Sequence, residues 1–275
     1  MVTVSKPALK PAAPAALKPA APAALKPKVQ KALLFGLNYA YNPDMKLSGC
    51  INDVKNTAEY LKTQGFDCKV YTDDTDRVNT SRNGIVQAIY AAAIDTHKSN
   101  VDVLWMHYSG HGASVFDFNK DEKDGRDECL VPSDAKMFGV VSDDVISNLF
   151  RHFNPKTKVI FVFDCCHSAT MGDVKYSWEG PKSMTLENPN CRASCKIITL
   201  SACLDTQTAA DGWDEKKREA AGAMTLCLLE VLKSGPFNDI FTLIDKVRNN
   251  ITSKGYSQTA KLCSTYNLTL DKNLI

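Results

Sequence analysis

Two apolar stretches of this chain end on groups that can make and break bonds. Val101 to Gly112 reads VDVLWMHYSGHG and finishes on His111, set between two glycines. Val159 to Ser168 reads VIFVFDCCHS and finishes on Asp164, the thiols of Cys165 and Cys166, and His167. A thiol and an imidazole brought together from different elements make a nucleophile with its acid/base partner. Side chains alternate along extended backbone, so Cys165 and Cys166 are expected to face apart, one reactive and one buried. The residues alone leave open which is which. Glycines beside His111 allow the turns and close approach that a substrate carbonyl needs.

Both stretches read as buried parallel strands, and open α/β sheets carry their chemistry just past the carboxyl ends of such strands. The spacing predicts further strands at Ala32–Gly36, Cys68–Thr72, Lys196–Ser201 and Thr259–Cys263, the last closing a sheet edge. Helices are expected over Asp53–Gln64 (capped by Asn52 or Asp53), Ser81–His97, Ser142 or Asp143 to Arg151, Ala223–Lys233 and Asp239–Thr252. Ser114–Phe118 and Glu128–Val131 read as a hairpin, and 172–195 as one long loop of functional kind. Strands alternating with helices predict an α/β fold, a mostly parallel central sheet with helices on both faces.

Residues 1–30 stand apart from a body at 31–275. Leu9–Ala16 repeats without change at Leu17–Ala24, a third copy starts at Leu25, and six of the 12 prolines lie here, so an extended tail is expected. Residues 1–31 hold six lysines and no acid, which leaves the rest with 33 − 6 = 27 bases against 31 acids. A mildly acidic body gives no reason to expect nucleic-acid binding. There is no apolar run of about 18 residues to span a membrane, and the basic N-terminus lacks the apolar centre of a secretory signal. The ten cysteines therefore read as reduced thiols in a cytoplasmic protein, several of them buried.

Two groups of residues could donate to a metal. Cys165, Cys166, His167, Cys191 and Cys195, with His107 and His111, offer zinc donors, but not the paired short spacings of a structural zinc site. Asp117 to Glu128 is dense in carboxylates but carries Glu122 where an EF-hand needs glycine. A solvated acidic hairpin and a calcium site of another kind both remain open, with Asp143-Asp144 as a second acidic pair.

The motifs Tyr108-Ser-Gly-His-Gly112, Asp164-Cys-Cys-His-Ser168, Gly49-Cys-Ile-Asn-Asp53, Asp124-Gly-Arg-Asp-Glu128, Ser142-Asp-Asp144 and Ser201 to Asp211 together resemble the metacaspases, specifically the type I, protozoan-like kind. The resemblance covers about Lys31 to the end. It implies a caspase-like sandwich and a cysteine endopeptidase that cuts after Arg or Lys, with peptide or protein substrates and a monomeric state. It selects Cys166 as nucleophile and His111 as partner. It assigns the substrate pocket to Cys50, Asp53, Ser109 and Asp164, and calcium to Asp127, Asp143, Asp144 and Asp173. Ala169 and Ala202 stand where many relatives have glycine.

On this reading the backbone N–H groups of Gly112 and Cys166 stabilise the oxyanion. Calcium would order a loop beside the pocket. Self-cleavage is expected at the tail lysines (Lys18, Lys26, Lys28, Lys31) or at Glu215-Lys-Lys-Arg218, and the tail or its junction near Lys31 is expected to limit access to the cleft. The competing readings are a caspase-fold interaction protein with little turnover and a zinc-binding module.

Overall fold

A computed structural model describes residues 27–116, 125–166, 168, 171–202, 211–237 and 239–271. The tail repeat, most of the acidic stretch that follows Phe116, His167, Ala169 and Cys203 lie outside them. In chain order the main elements are β1 (Gln30–Gly36), α1 (Cys50–Thr63), β2 (Asp67–Thr72), α2 (Arg82–Lys98), β3 (Val103–Ser109), β4 (Gly112–Phe116), β5 (Arg126–Leu130), α3 (Ala135–Phe138), β6 (Val141–Ser142), α4 (Asp143–Leu149), β7 (Lys158–Asp164), β8 (Tyr176–Gly180), β9 (Ser183–Leu186), β10 (Lys196–Ser201), β11 (Asp211–Asp214), β12 (Glu219–Gly222), α5 (Ala223–Lys233), α6 (Ile240–Ser253) and β13 (Lys261–Ser264).

The central sheet runs β2-β1-β3-β7-β10-β13-β8-β9. From β2 to β10 every pairing is parallel; β13, β8 and β9 continue it antiparallel. Alternation along each parallel strand sends neighbouring side chains to opposite faces. Trp105, Ile160 and Val162 pack under α1, α5 and α6. Leu104, Met106, Phe161 and Phe163 pack under α2 and α4. Fully burying one such side chain is worth about 1.5–3 kcal/mol, whereas solvent-exposed ion pairs such as Lys217–Glu59 contribute about 0–1 kcal/mol each. The two apolar layers, and not the surface charges, hold the frame.

Register then fixes the working end. Gly36, Ser109 and Asp164 stand side by side as the last residues of β1, β3 and β7. At Gly36 a Cβ would lie 2.5 Å from the Val54 side chain and 2.6 Å from the Cys50 carbonyl oxygen. Glycine there lets the start of α1 close down on the row.

Several expectations change. α1 begins at Cys50, with Gly49 at its N-cap and no side-chain cap; Asn52 and Asp53 look like caps by type but their side chains bond elsewhere. The segment 172–195 is not one loop, because it contains the β8–β9 hairpin, and this places β13 inside the sheet with β9 at the edge. The predicted hairpin forms, with Ser114 opposite Glu128. The strand β6 and the β11–β12 hairpin have no counterpart in the sequence reading.

Candidate active site

His111 follows β3 after Gly110 and is held from several sides. Its backbone N–H donates to the Tyr39 hydroxyl at 3.0 Å, and its carbonyl accepts from the Tyr108 hydroxyl at 3.0 Å. The two hydroxyls lie 3.1 Å apart; Tyr39 donates to the Val131 carbonyl at 2.6 Å, and the single Tyr108 proton is shared between the His111 and Val131 carbonyls, 3.0 and 2.9 Å away. Burial pushes both phenols well above the usual tyrosine range, so they stay neutral donors. A Cβ at residue 110 would lie 2.8 Å and 2.9 Å from the Tyr108 and Tyr39 oxygens, which is why a glycine precedes His111. Tyr39 takes the left-handed backbone conformation (φ 50°), and the Asp73 carboxylate accepts its N–H at 2.6 Å.

The imidazole Nε2 sits 2.8 Å from the Met45 carbonyl oxygen. A carbonyl only accepts, so Nε2 carries a proton, and in the neutral ring Nδ1 is the basic nitrogen. No third group beside the thiol and imidazole is expected from sequence; Met45 fills that place through its backbone.

Gly112 touches the other strand end. A Cβ on it would lie 1.9 Å from the Cys166 carbonyl oxygen and 3.3 Å from Cys165 Cβ. The histidine turn and the thiol segment are thus packed backbone to backbone. Cys165 is fully buried among the apolar side chains under α2 and α4, while Cys166 is half-exposed. The Ser168 hydroxyl donates to the Cys165 carbonyl at 2.9 Å, turning the chain after the thiols. Gly112→Ala is expected to cost about 1–3 kcal/mol of stability by overpacking and to slow alkylation of Cys166, read by thermal unfolding and iodoacetamide labelling.

The assigned pocket residues do converge. Ser109 Oγ donates to Asp53 at 2.7 Å, and the Gly222 N–H donates to both Asp53 oxygens at 2.9 and 3.1 Å. The Thr225 N–H and hydroxyl donate to Asp164 at 2.9 and 2.6 Å. Asp53 and Asp164 meet across Gly222, where a Cβ would come within 2.9 Å of Asp53 and 2.3 Å of Asp164. Both carboxylates face the N-terminus of α5, whose N–H groups and dipole favour negative charge. They are nearly covered, at 1% and 4% exposure. A cavity of about 330 Å³ opens beside Asp53, lined also by Asn56, Asp214, Lys216, Thr225, Leu229, Glu230 and Lys233. Cys50 is buried at the start of α1, close to the Tyr39 and Tyr108 hydroxyls.

A second acidic group forms on the other side. Asp143 opens α4 and accepts the Glu128 N–H at 3.0 Å and the Asp144 N–H at 2.9 Å. Burial, with Asp173 and Glu128 nearby, pushes its carboxyl up to about 10. Asp127 lies beside the same strand position, near Cys129, and Asp144 is half-exposed. Glu128, which strand alternation alone would not single out, joins the group. Asp173 has φ 50° after Gly172 at φ 89°, a left-handed pair that turns its carboxylate inward. Among the described residues no three acid, thiol or imidazole side chains form a closed metal cage. The donors of this group are hard oxygens, and those of Asp127, Glu128, Asp143 and Asp173 belong to buried residues. The zinc donors of the sequence reading do not assemble among the described residues.

A family model described as Caspase domain matches residues 29–274. Metacaspase-1 of Yarrowia lipolytica is 29% identical over 290 residues, covering 86% of this chain and 62% of that one. Metacaspase-1B of Aspergillus oryzae is 28% identical over 302 residues, covering 90% and 70%. This chain thus spans less than two thirds of the Yarrowia relative's length. Among solved structures, the GSU0716 protein of Geobacter sulfurreducens superposes with a TM-score of 0.61 at 24% identity, over 86% of this chain and 93% of that one. Caspase-1 of Spodoptera frugiperda superposes with a TM-score of 0.56 at 18% identity, over 88% of both chains. Both share the fold.

Proposed function

The chain belongs to the caspase-domain family, and on that footing we propose that it is a calcium-activated cysteine endopeptidase of the type I metacaspase kind, cutting after Arg or Lys. The observation that carries the reading is the seating of the His111 turn against Cys166, with Gly112 on the Cys166 carbonyl and the imidazole anchored to Met45.

The chemistry is acyl transfer. The Cys166 thiolate adds to the carbonyl carbon after the basic residue, and the oxyanion accepts from the N–H groups of Gly112 and Cys166. His111 gives a proton to the departing amine as the C–N bond breaks, leaving a thioester. It then takes a proton from water, which attacks the thioester carbonyl; the C–S bond breaks and the Cys166 thiolate leaves, restoring the starting pair with His111 protonated. The basic side chain pairs with Asp53 and Asp164, charges worth more where water is excluded.

Calcium would be held by Asp127, Asp143, Asp144 and Asp173, with Glu128 as a further oxygen donor, and would neutralise their charge. Asp127 and Glu128 lie on β5, whose Leu130 pairs with Gly112. Asp173 follows Cys166 on the same segment. Ordering these carboxylates therefore bears on both halves of the site. The near-complete cover over Asp53 and Asp164 supports a zymogen that must open.

Self-cleavage is part of this reading, and contacts at two of its expected sites weigh against those two. Lys31 lies within β1 and pairs with Asp95 at 2.6 Å, and Lys217 is tied to Asn56 and Glu59 from the β11–β12 turn. Lys216 and Arg218 of the same turn are exposed, so the expected sites are Lys18, Lys26 and Lys28 in the tail and Lys216 or Arg218 in the turn. β1 enters the sheet at the end opposite Gly36, about 20 Å away at 3.3 Å per residue, so an inhibitory tail must run back along the domain. The test is hydrolysis of an Arg-P1 fluorogenic peptide with calcium or chelator. Turnover and self-cutting are expected with calcium and at least about a hundredfold less with chelator or in Asp143→Asn. Equal rates with chelator would refute calcium activation. An absence of turnover together with absent labelling of Cys166 by a basic-P1 thiol reagent would favour the interaction-protein reading. No described helix is long and apolar enough to cross a membrane.

A further inference from the structure

We propose that His107 and Thr225 are positioning residues for the specificity pocket, forming a buried donor chain that holds Asp164 oriented and ionised to receive a basic side chain. The inference rests on the basic-P1 reading and extends it to two residues outside the pocket assignment.

Three atoms define the chain. Thr225 Oγ1 lies 2.6 Å from Asp164 Oδ2 and 3.1 Å from His107 Nε2. A hydroxyl has one proton, and an ionised carboxylate only accepts. Thr225 therefore donates to Asp164, and His107 must donate its Nε2–H to Thr225. Direction runs one way, from imidazole to hydroxyl to carboxylate. The Thr225 backbone N–H reaches the same Asp164 oxygen at 2.9 Å.

This arrangement answers a particular difficulty. Asp53 and Asp164 approach across Gly222 in a nearly covered site. Two close, buried carboxylates resist being ionised together, and one tends to take up a proton. Each donor aimed at them favours the charged pair. Ser109 and Gly222 serve Asp53, and Thr225 serves Asp164. Without a donor on its lone pair, the Thr225 hydroxyl is free to turn toward a carbonyl of its own helix. His107 prevents that.

A positive charge in this place would defeat the purpose, because it would cancel Asp164. His107 is fully buried, and burial pushes its imidazole down to about 3. Its Nδ1 has no hydrogen-bond partner among the described residues. It is thus a neutral donor that supports a carboxylate without neutralising it. The β3 alternation places it on the α5 side of the sheet, two residues before Ser109.

The test uses the full chain and two peptides that differ only at P1, Arg or its uncharged analogue citrulline. The ratio of kcat/KM for the pair reports the pocket's charge, and a general loss of folding or thiol reactivity moves both alike. Thr225→Val and His107→Leu are each expected to lower the Arg-over-citrulline ratio by about tenfold or more, mainly through KM for Arg. Thr225→Ser and His107→Gln, which keep the donor, restore the ratio to within about threefold of wild type. The double variant Thr225→Val with His107→Leu falls no further than Thr225→Val alone, since one chain is broken once. A wild type that does not distinguish the peptides overturns the basic-P1 reading and this inference with it. A wild type that favours Arg, with Thr225→Val keeping its ratio, overturns the inference alone. Should His107→Leu not fold, the Thr225 pair decides.

Discussion

Cys166→Ala is expected to lower kcat/KM for an Arg-P1 peptide by at least about a thousandfold and to abolish self-cleavage. Alanine removes the only atom that can carry the acyl group while leaving the half-exposed site and its backbone donors in place. His111→Ala is expected to fall nearly as far, and the double variant little further, because thiol and imidazole act as one unit. Cys165→Ala is the informative contrast. Its thiol lies at 0% exposure among the side chains under α2 and α4, so its loss is expected to register in thermal unfolding. Activity that survives in Cys166→Ala and vanishes in Cys165→Ala would reverse the assignment.

Asp53→Asn is expected to lower turnover of the Arg peptide by about a hundredfold, near 3 kcal/mol, within the range for removing one partner of a buried, hydrogen-bonded charge pair. The amide carries one oxygen where the carboxylate carries two, and Asp53 uses both toward Gly222 and one toward Ser109. An amide N–H aimed at the Gly222 N–H would set donor against donor. The citrulline peptide is expected to lose much less, since its P1 has no charge to pair. Equal losses on both peptides would assign Asp53 a purely structural role.

Much of this site was legible in the residues. β3 and β7 announce themselves as apolar runs that stop at polar groups, and the alternation that separates Cys165 from Cys166 is a property of any extended chain. What escaped did so for physical reasons. The partner of His111 Nε2 is the Met45 carbonyl, and every residue has a carbonyl, so no residue type marks it. Tyr39 and Asp73 act from loops whose conformation appears only in three dimensions. β9 is exposed at all four positions, so it shows no alternation. Asp53 resembles a helix cap because its type is right, yet its carboxylate is used across 169 residues of sequence by Gly222. Glu128 joins the acidic group through its place on β5 and not through any spacing.

The bonds at Gly222 also constrain how this protein can change. Asp53 and Asp164, the proposed floor of the pocket, are also the anchors that fasten the start of α5 to α1 and β7. A lineage drifting toward a neutral or acidic P1 cannot simply replace them, because Gly222, Thr225 and Ser109 would be left with buried donors and no acceptors, each a cost of about 1–3 kcal/mol. The donors must be retired first, or together with the acids, and a protein only a few kcal/mol above its stability threshold tolerates few such intermediates. Diversification of this scaffold is therefore expected to accumulate elsewhere in the cavity wall, at Asp214, Lys216 and Lys233, while the two acids stay as they are.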